Sequence, residues 1–269
     1  MFNIDYSKIE FIEVYGLRRS GNHAIIGWFL KNMSTNLVTN TESLVVPQPS
    51  IGFISQRCDD VYHINDVGGR WSVGSPKYVR GLIDAYISMG AKTIVLSYED
   101  TTYQASLYGI NKKLFYFLED SKKIIIIRDL ANTFASRLMA SIKIFGEANF
   151  DKAPNPFLIT QLVVDKWAIN EFFEGTKINY ENWLTSKEYR DQISKDLNLV
   201  NRDITSEISN AGGGSSFKNT LDKDNLLNRY KQVEFPKEMV DFLKSDYVSK
   251  IMIRSYGFDY SDFEFNQIP

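Results

Sequence analysis

Cysteine and histidine are scarce in this chain of 269 residues, and their scarcity excludes several kinds of site. Cys58 is the only cysteine, so an intrachain disulfide and a zinc site built from several cysteines are both impossible. His23 and His63 are the only histidines, which argues against a histidine-based metal centre. A chain without disulfides fits a reducing compartment. We therefore expect a cytoplasmic protein whose chemistry uses no bound metal.

Long apolar runs and an excess of charge are missing as well. No stretch approaches the roughly 18 uninterrupted apolar residues of a transmembrane helix, so no integral membrane segment is expected. The first residues lack the apolar core of a signal peptide. With 31 basic and 33 acidic residues the net charge is −2, which argues against nonspecific binding of nucleic acid. An anionic ligand must therefore be held by locally placed arginines, lysines and backbone N–H groups; the oligomeric state stays open.

Strand-like and helix-like segments alternate along the chain. Four consecutive isoleucines, Ile124 to Ile127, are typical of a parallel strand that is buried on both faces. The alternation predicts one α/β domain over residues 1–269, a three-layer sandwich with a central, mostly parallel sheet. Residues 34–90 are rich in proline and glycine and are interpreted as loops and short strands in a substrate-facing insertion. Strands are predicted over 11–15, 93–97, 124–127 and 177–180, and helices over 23–31, 78–89, 112–119, 132–144, 157–173, 181–197 and, as a pair, around 222–255.

A glycine-bounded loop follows the first predicted strand and reads Gly16-Leu-Arg-Arg-Ser-Gly-Asn-His23. Backbone N–H groups of such a loop, together with the start of the following helix, can point at one phosphate. In a Walker loop the second glycine is followed by lysine and then by serine or threonine, but here Asn22 and His23 occupy those places. A magnesium-dependent phosphoryl transfer would therefore lack both the lysine that contacts the terminal phosphates and the hydroxyl that binds magnesium. Arg18 and Arg19 instead suit an anion handled without a metal, although an ordinary strand-to-helix turn is the alternative.

A second candidate site follows the isoleucine strand. Arg128 stands at the carboxyl end of that strand, where open α/β sheets bind their ligands. Ser136 lies in the first turns of the next predicted helix. An arginine fork and a serine hydroxyl can hold one phosphate from two sides. The alternative is an Arg128–Asp129 surface pair and an ordinary helix serine.

Taken together, the loop and the strand–Arg–Ser motif resemble the sulfotransferase family. The resemblance implies a P-loop-like fold in which Arg18, Arg19, Ser20, Gly21, Asn22 and His23 bind the 5′-phosphosulfate of the donor PAPS. It also implies that Arg128 and Ser136 bind the 3′-phosphate of PAPS. This chain departs from the usual motifs at Asn22, where threonine is common, at His23, where a small or polar residue is common, and at Leu130, where proline is common.

Two later segments extend the resemblance to about residues 11–255. Residues 177–184 resemble the family's Tyr-Glu-x-Leu junction, which implies that Tyr180 reaches the adenine. Residues 212–219 resemble the late Gly-x-Trp-Lys-Asn loop, which implies that Gly213, Gly214 and Lys218 also touch the 3′-phosphate.

The resemblance also implies roles in the reaction. Arg19 should contact the leaving phosphate–sulfate bridge, and because arginine stays charged, we expect electrostatic stabilisation rather than proton donation. Glu99, at the end of the second predicted strand, is the first candidate for the general base, with a solvent-exposed loop glutamate as its alternative. His63 is the second candidate, with a structural strand histidine as its alternative.

The sequence thus predicts sulfation of a hydroxyl or amine on a glycan, glycolipid or small molecule, with adenosine 3′,5′-bisphosphate as the second product. The acceptor itself is not readable from the sequence. A P-loop kinase acting on a small metabolite and a non-catalytic nucleotide-binding protein of the same fold are the alternatives.

Overall fold

The computed structural model describes residues 4–17, 20–33, 42–46, 53–58, 60–64, 76–100, 106, 111–145, 175–200, 226–261 and 263–268. The predicted helix over 157–173 and the site residues Arg18, Arg19, Gly213, Gly214 and Lys218 lie outside these ranges.

A seven-stranded sheet forms the centre of the fold, with strand order β2-β3-β4-β5-β1-β6-β7. The five strands from β4 to β7 in that order run parallel, whereas β2 and β3 extend one edge in antiparallel fashion. The predicted α/β class and mostly parallel sheet are therefore confirmed. The strands are β1 Glu10–Gly16, β2 Glu42–Val46, β3 Phe53–Cys58, β4 Val61–Ile64, β5 Thr93–Glu99, β6 Lys122–Ile127 and β7 Thr176–Asn179; β8 Glu234–Pro236 and β9 Asn266–Ile268 form a separate parallel pair.

Helices cover both faces of the sheet and complete the three layers. The helices are α1 Asn22–Met33, α2 Pro76–Ser88, α3 Leu130–Phe145, α4 Tyr180–Thr185, α5 Lys187–Asp196, α6 Lys237–Leu243 and α7 Asp246–Tyr256. The apolar sides of α1, α4 and α5 pack on one face of the sheet, and those of α2, α3, α6 and α7 on the other.

Strand β6 confirms the interpretation of the isoleucine run. Ile124 and Ile126 point into the core beneath α1, whereas Ile125 and Ile127 point into the core beneath α3. Each of these four side chains is at most 3% exposed, so both faces of the strand are buried. Because successive side chains of a strand alternate between faces, a continuous apolar run is required at such a position.

Two predicted helices are wrong in detail. Residues 112–119 form turns and a 3₁₀ helix, Tyr116–Leu118, in which the Leu118 and Glu119 N–H groups donate to the carbonyls three residues earlier, at Phe115 and Tyr116. The predicted helix over 181–197 is two helices. Ser186 interrupts it with extended backbone, and its Oγ accepts from the Tyr189 N–H at 3.0 Å to cap α5.

Part of the region 34–90, which we predicted as a substrate-facing insertion, belongs to the central sheet, because it supplies β2, β3 and β4. β4 pairs in parallel with β5, and α2 buries Val79, Ile83 and Tyr86 against the sheet. The substrate-facing role of this region stays a prediction. Within the ranges that the structure describes, none of the helices combines the length and apolarity needed to cross a membrane.

The strand order places a crevice between β1 and β6. After β1 the chain continues toward the β4 side of the sheet, whereas after β6 it continues to β7 on the opposite side. Connections that leave two adjacent parallel strands in opposite directions open a crevice at the carboxyl ends of those strands. Both predicted phosphate-binding motifs begin at this point of the fold.

Candidate functional site

The loop between β1 and α1 is closed by backbone hydrogen bonds. The Ser20 N–H donates to the Leu17 carbonyl at 3.0 Å, and the Gly21 carbonyl accepts from Ala24 and Ile25 to begin α1. Gly21 has φ +86, in the left-handed region that favours glycine. The sequence therefore needs glycine here for the chain to turn from the strand into the helix.

The Asn22 side chain holds the loop from inside. Its Oδ1 accepts from the Ser20 hydroxyl at 2.6 Å, and its Nδ2 donates to the Leu17 carbonyl at 3.2 Å. A β-carbon at Gly16 would overlap the Asn22 amide, so this packing also depends on glycine. Asn22 thus uses its side chain to fasten the two ends of the loop together, a role that a Walker lysine would not serve.

Glu99 lies beside this loop. The register of the sheet pairs it with Gly16, and its side chain is 10% exposed. Its Oε1 lies 3.4 Å from Asn22 Nδ2 and 3.6 Å from His23 Nε2. The structure therefore brings together Glu99, Asn22 and His23, which the sequence predicted as parts of one site.

His63 is buried deeper in the fold. It lies on β4 with 1% of its surface exposed, and its Nε2 is 2.9 Å from the Ser97 hydroxyl. Burial, with a smaller contribution from His23, lowers the pKa of His63 to about 3. A ring with so low a pKa is a weak base, and it is also enclosed, so Glu99 is favoured over His63 as the candidate base.

Arg128 is buried at the carboxyl end of β6. Its Nη2 donates to the Leu226 carbonyl at 3.0 Å, and its guanidinium lies 4.9 Å from the centre of the Tyr180 ring. Its Nε lies 3.8 Å from Glu181 Oε1. A guanidinium over an aromatic face, held by one carbonyl, is fixed in position at the crevice.

Tyr180 connects the two motifs. A β-carbon at Gly21 would overlap Cε2 and Cδ2 of the Tyr180 ring, so the ring lies directly against the loop. The same ring lies beside the Arg128 guanidinium. Only 6% of Tyr180 is exposed, and its predicted contact with adenine stays a prediction.

Ser136 has a partner that sequence reasoning missed. Its hydroxyl accepts from Arg229 Nη1 at 3.1 Å, and Arg229 is only 9% exposed. Arg229 lies on a 3₁₀ helix, Arg229–Gln232, that packs on α3. Ser136 and Arg229 are too far apart in sequence for any spacing rule to link them. The positive charge of Arg229 was the only local signal that pointed to anion binding.

Residues 226–230, here called the C-terminal strap, hold both parts of the predicted 3′-phosphate site. The Leu226 carbonyl accepts from Arg128, and the Leu227 carbonyl accepts from Asn132 Nδ2 at 2.7 Å. The Tyr230 N–H donates to Asn132 Oδ1 at 3.3 Å. The strap therefore brings a second arginine, Arg229, to the side of α3 that carries Ser136.

Buried acids lie behind Arg128. Asp129 Oδ1 accepts from the Tyr260 hydroxyl and Oδ2 from the Asn132 amide, at 2.7 and 2.6 Å. Burial raises the pKa of Asp129, and it raises the pKa of Glu181 to about 7. Burial and the nearby Asp129 also raise the pKa of Tyr260 well above its usual value.

Comparison of this chain with protein-family models, with curated proteins and with solved structures finds no match.

Proposed function

We propose that this protein binds adenosine 3′,5′-bisphosphate nucleotides in the β1–β6 crevice and transfers a sulfuryl group from PAPS to a hydroxyl or amine. One observation carries the proposal. Gly21, Tyr180 and Arg128 come from three separate motifs, and the Tyr180 ring contacts both the glycine loop and the arginine at the crevice. Such convergence at a reversal of strand order is typical of a nucleotide site.

The residues around the crevice fit a ligand with two phosphate groups. Gly16 and Gly21 leave no room for a β-carbon, because the Asn22 amide and the Tyr180 ring occupy those places. The backbone N–H groups of the loop are the groups that would hold a phosphate. Arg128 at the end of β6, with Ser136 on α3 and Arg229 on the C-terminal strap, supplies two guanidinium groups and a hydroxyl. Buried arginines recognise phosphate by forked hydrogen bonds. These residues would hold the 3′-phosphate, and the loop would hold the 5′-phosphate.

Glu99 is the group that we assign to proton transfer. The bound donor supplies the sulfuryl group. The acceptor hydroxyl or amine must lose a proton as the sulfuryl group is transferred to it. Glu99 is mostly buried beside the loop, and the nearby Asn22 amide and His23 ring keep its Oε1 at the loop. A carboxylate fixed in this way can accept the proton. Arg19, by its place in the motif, would stabilise the charge that develops on the leaving phosphate.

Calorimetry with adenosine 3′,5′-bisphosphate and with adenosine 5′-monophosphate tests the site. The wild-type protein should bind the bisphosphate at least about tenfold more tightly, because a charge-assisted hydrogen bond to a buried arginine contributes about 1.5 to 3 kcal/mol. Arg128→Ala, Ser136→Ala and Arg229→Ala should each reduce this preference. Their affinity for the monophosphate should change little, since it lacks the 3′-phosphate.

Arg80→Ala is the matched control. Arg80 is a partly buried arginine whose Nε donates to the Tyr6 hydroxyl at 2.9 Å. Tyr6 lies just before β1, so this contact lies at the amino end of the parallel strands, opposite the candidate site. It should lower stability and leave the preference for the bisphosphate unchanged. Equal affinity for the two nucleotides in the wild-type protein would overturn the assignment. Thermal stabilisation by ATP–Mg²⁺ but not by the bisphosphate would instead favour a kinase.

A further inference from the structure

Glu181 occupies a position that the proposed phosphate site does not explain. Its Oε1 accepts from the Asp129 N–H at 3.2 Å and lies 3.8 Å from Arg128 Nε. Its Oε2 is buried and has no hydrogen-bond partner among the residues that the structure describes. A carboxyl group with one oxygen unsatisfied therefore lies beside the arginine that we assign to the 3′-phosphate.

The charges around Glu181 oppose one another. Arg128 at the end of β6 favours the ionised carboxyl, whereas Asp129 in the β6–α3 turn disfavours it. Burial is the largest influence and raises the pKa of Glu181 to about 7. The other titratable groups of this neighbourhood are the Tyr260 phenol after α7, Tyr180 on the same helix as Glu181, and Tyr189 and Arg190 on α5, which bond to Asn179 and to the Trp183 carbonyl.

We propose that Glu181 positions Arg128 and takes up a proton when a phosphate group binds to that arginine. The inference rests on the proposed function, because it requires a phosphate at Arg128. The carboxylate of Glu181 partly neutralises the guanidinium in the structure. A phosphate dianion would bring further negative charge to the same buried cation. Repulsion between two anions in a poorly solvated place disfavours the ionised carboxyl, so a solvent proton binds to it.

The direction of the pH dependence follows from this linkage. Below pH 7 most Glu181 side chains already carry a proton, and phosphate binding takes up little more. Above pH 7 binding must be accompanied by protonation, so affinity falls as the pH rises. Between pH 7 and pH 8 the protonated fraction falls about fivefold, and the affinity of the wild-type protein should fall by about the same factor.

Calorimetry in two buffers with different ionisation enthalpies measures the proton directly. At pH 7.5 the binding of adenosine 3′,5′-bisphosphate to the full chain should take up about three quarters of a proton at Glu181. The phosphates of the nucleotide are already dianionic there, since their second pKa values lie near 6. Contact with the Arg128 guanidinium favours the dianion further, so a bound phosphate would take up no proton and cannot account for the uptake.

Glu181→Gln removes the proton acceptor and keeps the shape of the side chain. In this variant the uptake should drop by about three quarters of a proton, and the affinity should change little between pH 7 and pH 8. Glu188→Gln is the matched control, because Glu188 is an exposed carboxyl on α5 whose Oε2 accepts from Ser186 at 3.0 Å, and it should behave as the wild-type protein does. The three proteins share every other ionisable side chain, so contributions from the rest of the chain cancel in the comparison.

The outcomes separate the two proposals. Bisphosphate binding with equal uptake in the wild-type protein and in Glu181→Gln would overturn the role of Glu181 and leave the nucleotide site standing. An absence of bisphosphate binding by the wild-type protein would overturn the proposed function, and this inference with it. If Glu181→Gln does not fold, the wild-type protein decides alone: an affinity that does not change between pH 7 and pH 8 contradicts the inference.

Discussion

Replacement of Gly21 by alanine tests how closely the Tyr180 ring packs on the glycine loop. The new β-carbon would overlap Cε2 and Cδ2 of the ring and would lie 3.0 Å from Cζ. Tyr180 is almost fully buried between the loop, Trp183 and Arg128, so the ring has little space into which to move. The substitution therefore strains both the loop backbone and the contact with the ring.

The expected loss of stability has two parts. Alanine at φ +86 costs about 1 to 2 kcal/mol, because its side chain clashes with its own backbone in the left-handed region. Forcing one methyl group into a packed region costs about 1 to 3 kcal/mol more. The reduced freedom of the unfolded chain returns about 0.4 to 1 kcal/mol. We expect Gly21→Ala to lower the free energy of unfolding by about 1 to 4.5 kcal/mol.

Two other glycines of the chain allow the backbone cost to be separated from the cost of the clash with Tyr180. Gly90 has φ +95, but a β-carbon there would meet no heavy atom of the described residues within 4 Å. Gly90→Ala should therefore cost only about 1 kcal/mol, from the backbone alone. Gly81, within α2, is equally open and has no positive φ, so Gly81→Ala should stabilise the protein by about 0.5 to 1 kcal/mol.

Urea unfolding followed by tryptophan fluorescence measures all three variants. A loss in Gly21→Ala no greater than that in Gly90→Ala would refute the packing of Tyr180 on the loop. The bisphosphate affinity of Gly21→Ala provides an independent reading, since a displaced Tyr180 ring would also leave the Arg128 guanidinium without its aromatic neighbour.

Three further predictions follow from the buried polar groups. Since the pKa of Glu181 is raised to about 7, its folded form retains a proton that the unfolded form has lost, and stability falls as the pH rises from about 4.5 to 7. Urea unfolding across this range should show Glu181→Gln gaining up to about 3 kcal/mol relative to the wild-type protein, and a constant difference would contradict the assignment. Tyr260→Phe removes the hydroxyl that donates to Asp129 and accepts from the Leu130 N–H, so thermal unfolding should report a loss of about 2 to 4 kcal/mol; a loss under 1 kcal/mol would contradict this network. Glu99→Gln should bind the bisphosphate normally and lower transfer from labelled PAPS to an acceptor by about 10²- to 10⁴-fold, whereas full activity would move the base elsewhere.

Much of the sheet could be predicted because the apolar composition of its strands shows that they are buried. The isoleucine run of β6 fits burial on both faces, and glycine at position 21 fits a turn into a helix, so both appear as local patterns. The segment 112–119 shows the limit of such reasoning. Its apolar residues fit a helical spacing, but the Tyr6 and Phe117 rings stack at 4.5 Å and tie the segment to the residues in front of β1.

The residues of the candidate site were likewise predictable only in part. Arg128, Ser136 and the glycine loop were predictable because each follows a strand and carries a residue type suited to an anion. Their partners were not, since Arg229 reaches Ser136 and Glu181 reaches Arg128 only after distant segments fold together. The sequence placed Glu99 ahead of His63 as the candidate base but gave no local signal that excluded either. Burial distinguishes them, because it encloses His63 and makes its imidazole a weak base, while Glu99 lies at the loop.

The sequence by itself therefore determined the class of the sheet, several of its central parallel strands and the motifs that follow them. These features depend on local periodicity and on residues close together in the chain. The tertiary structure alone decided that Tyr180 joins the two motifs, that the C-terminal strap brings Arg229 to Ser136, and that Glu181 faces Arg128. Contacts of this kind depend on strand order and on burial, which arise only when segments that are distant in sequence pack against one another.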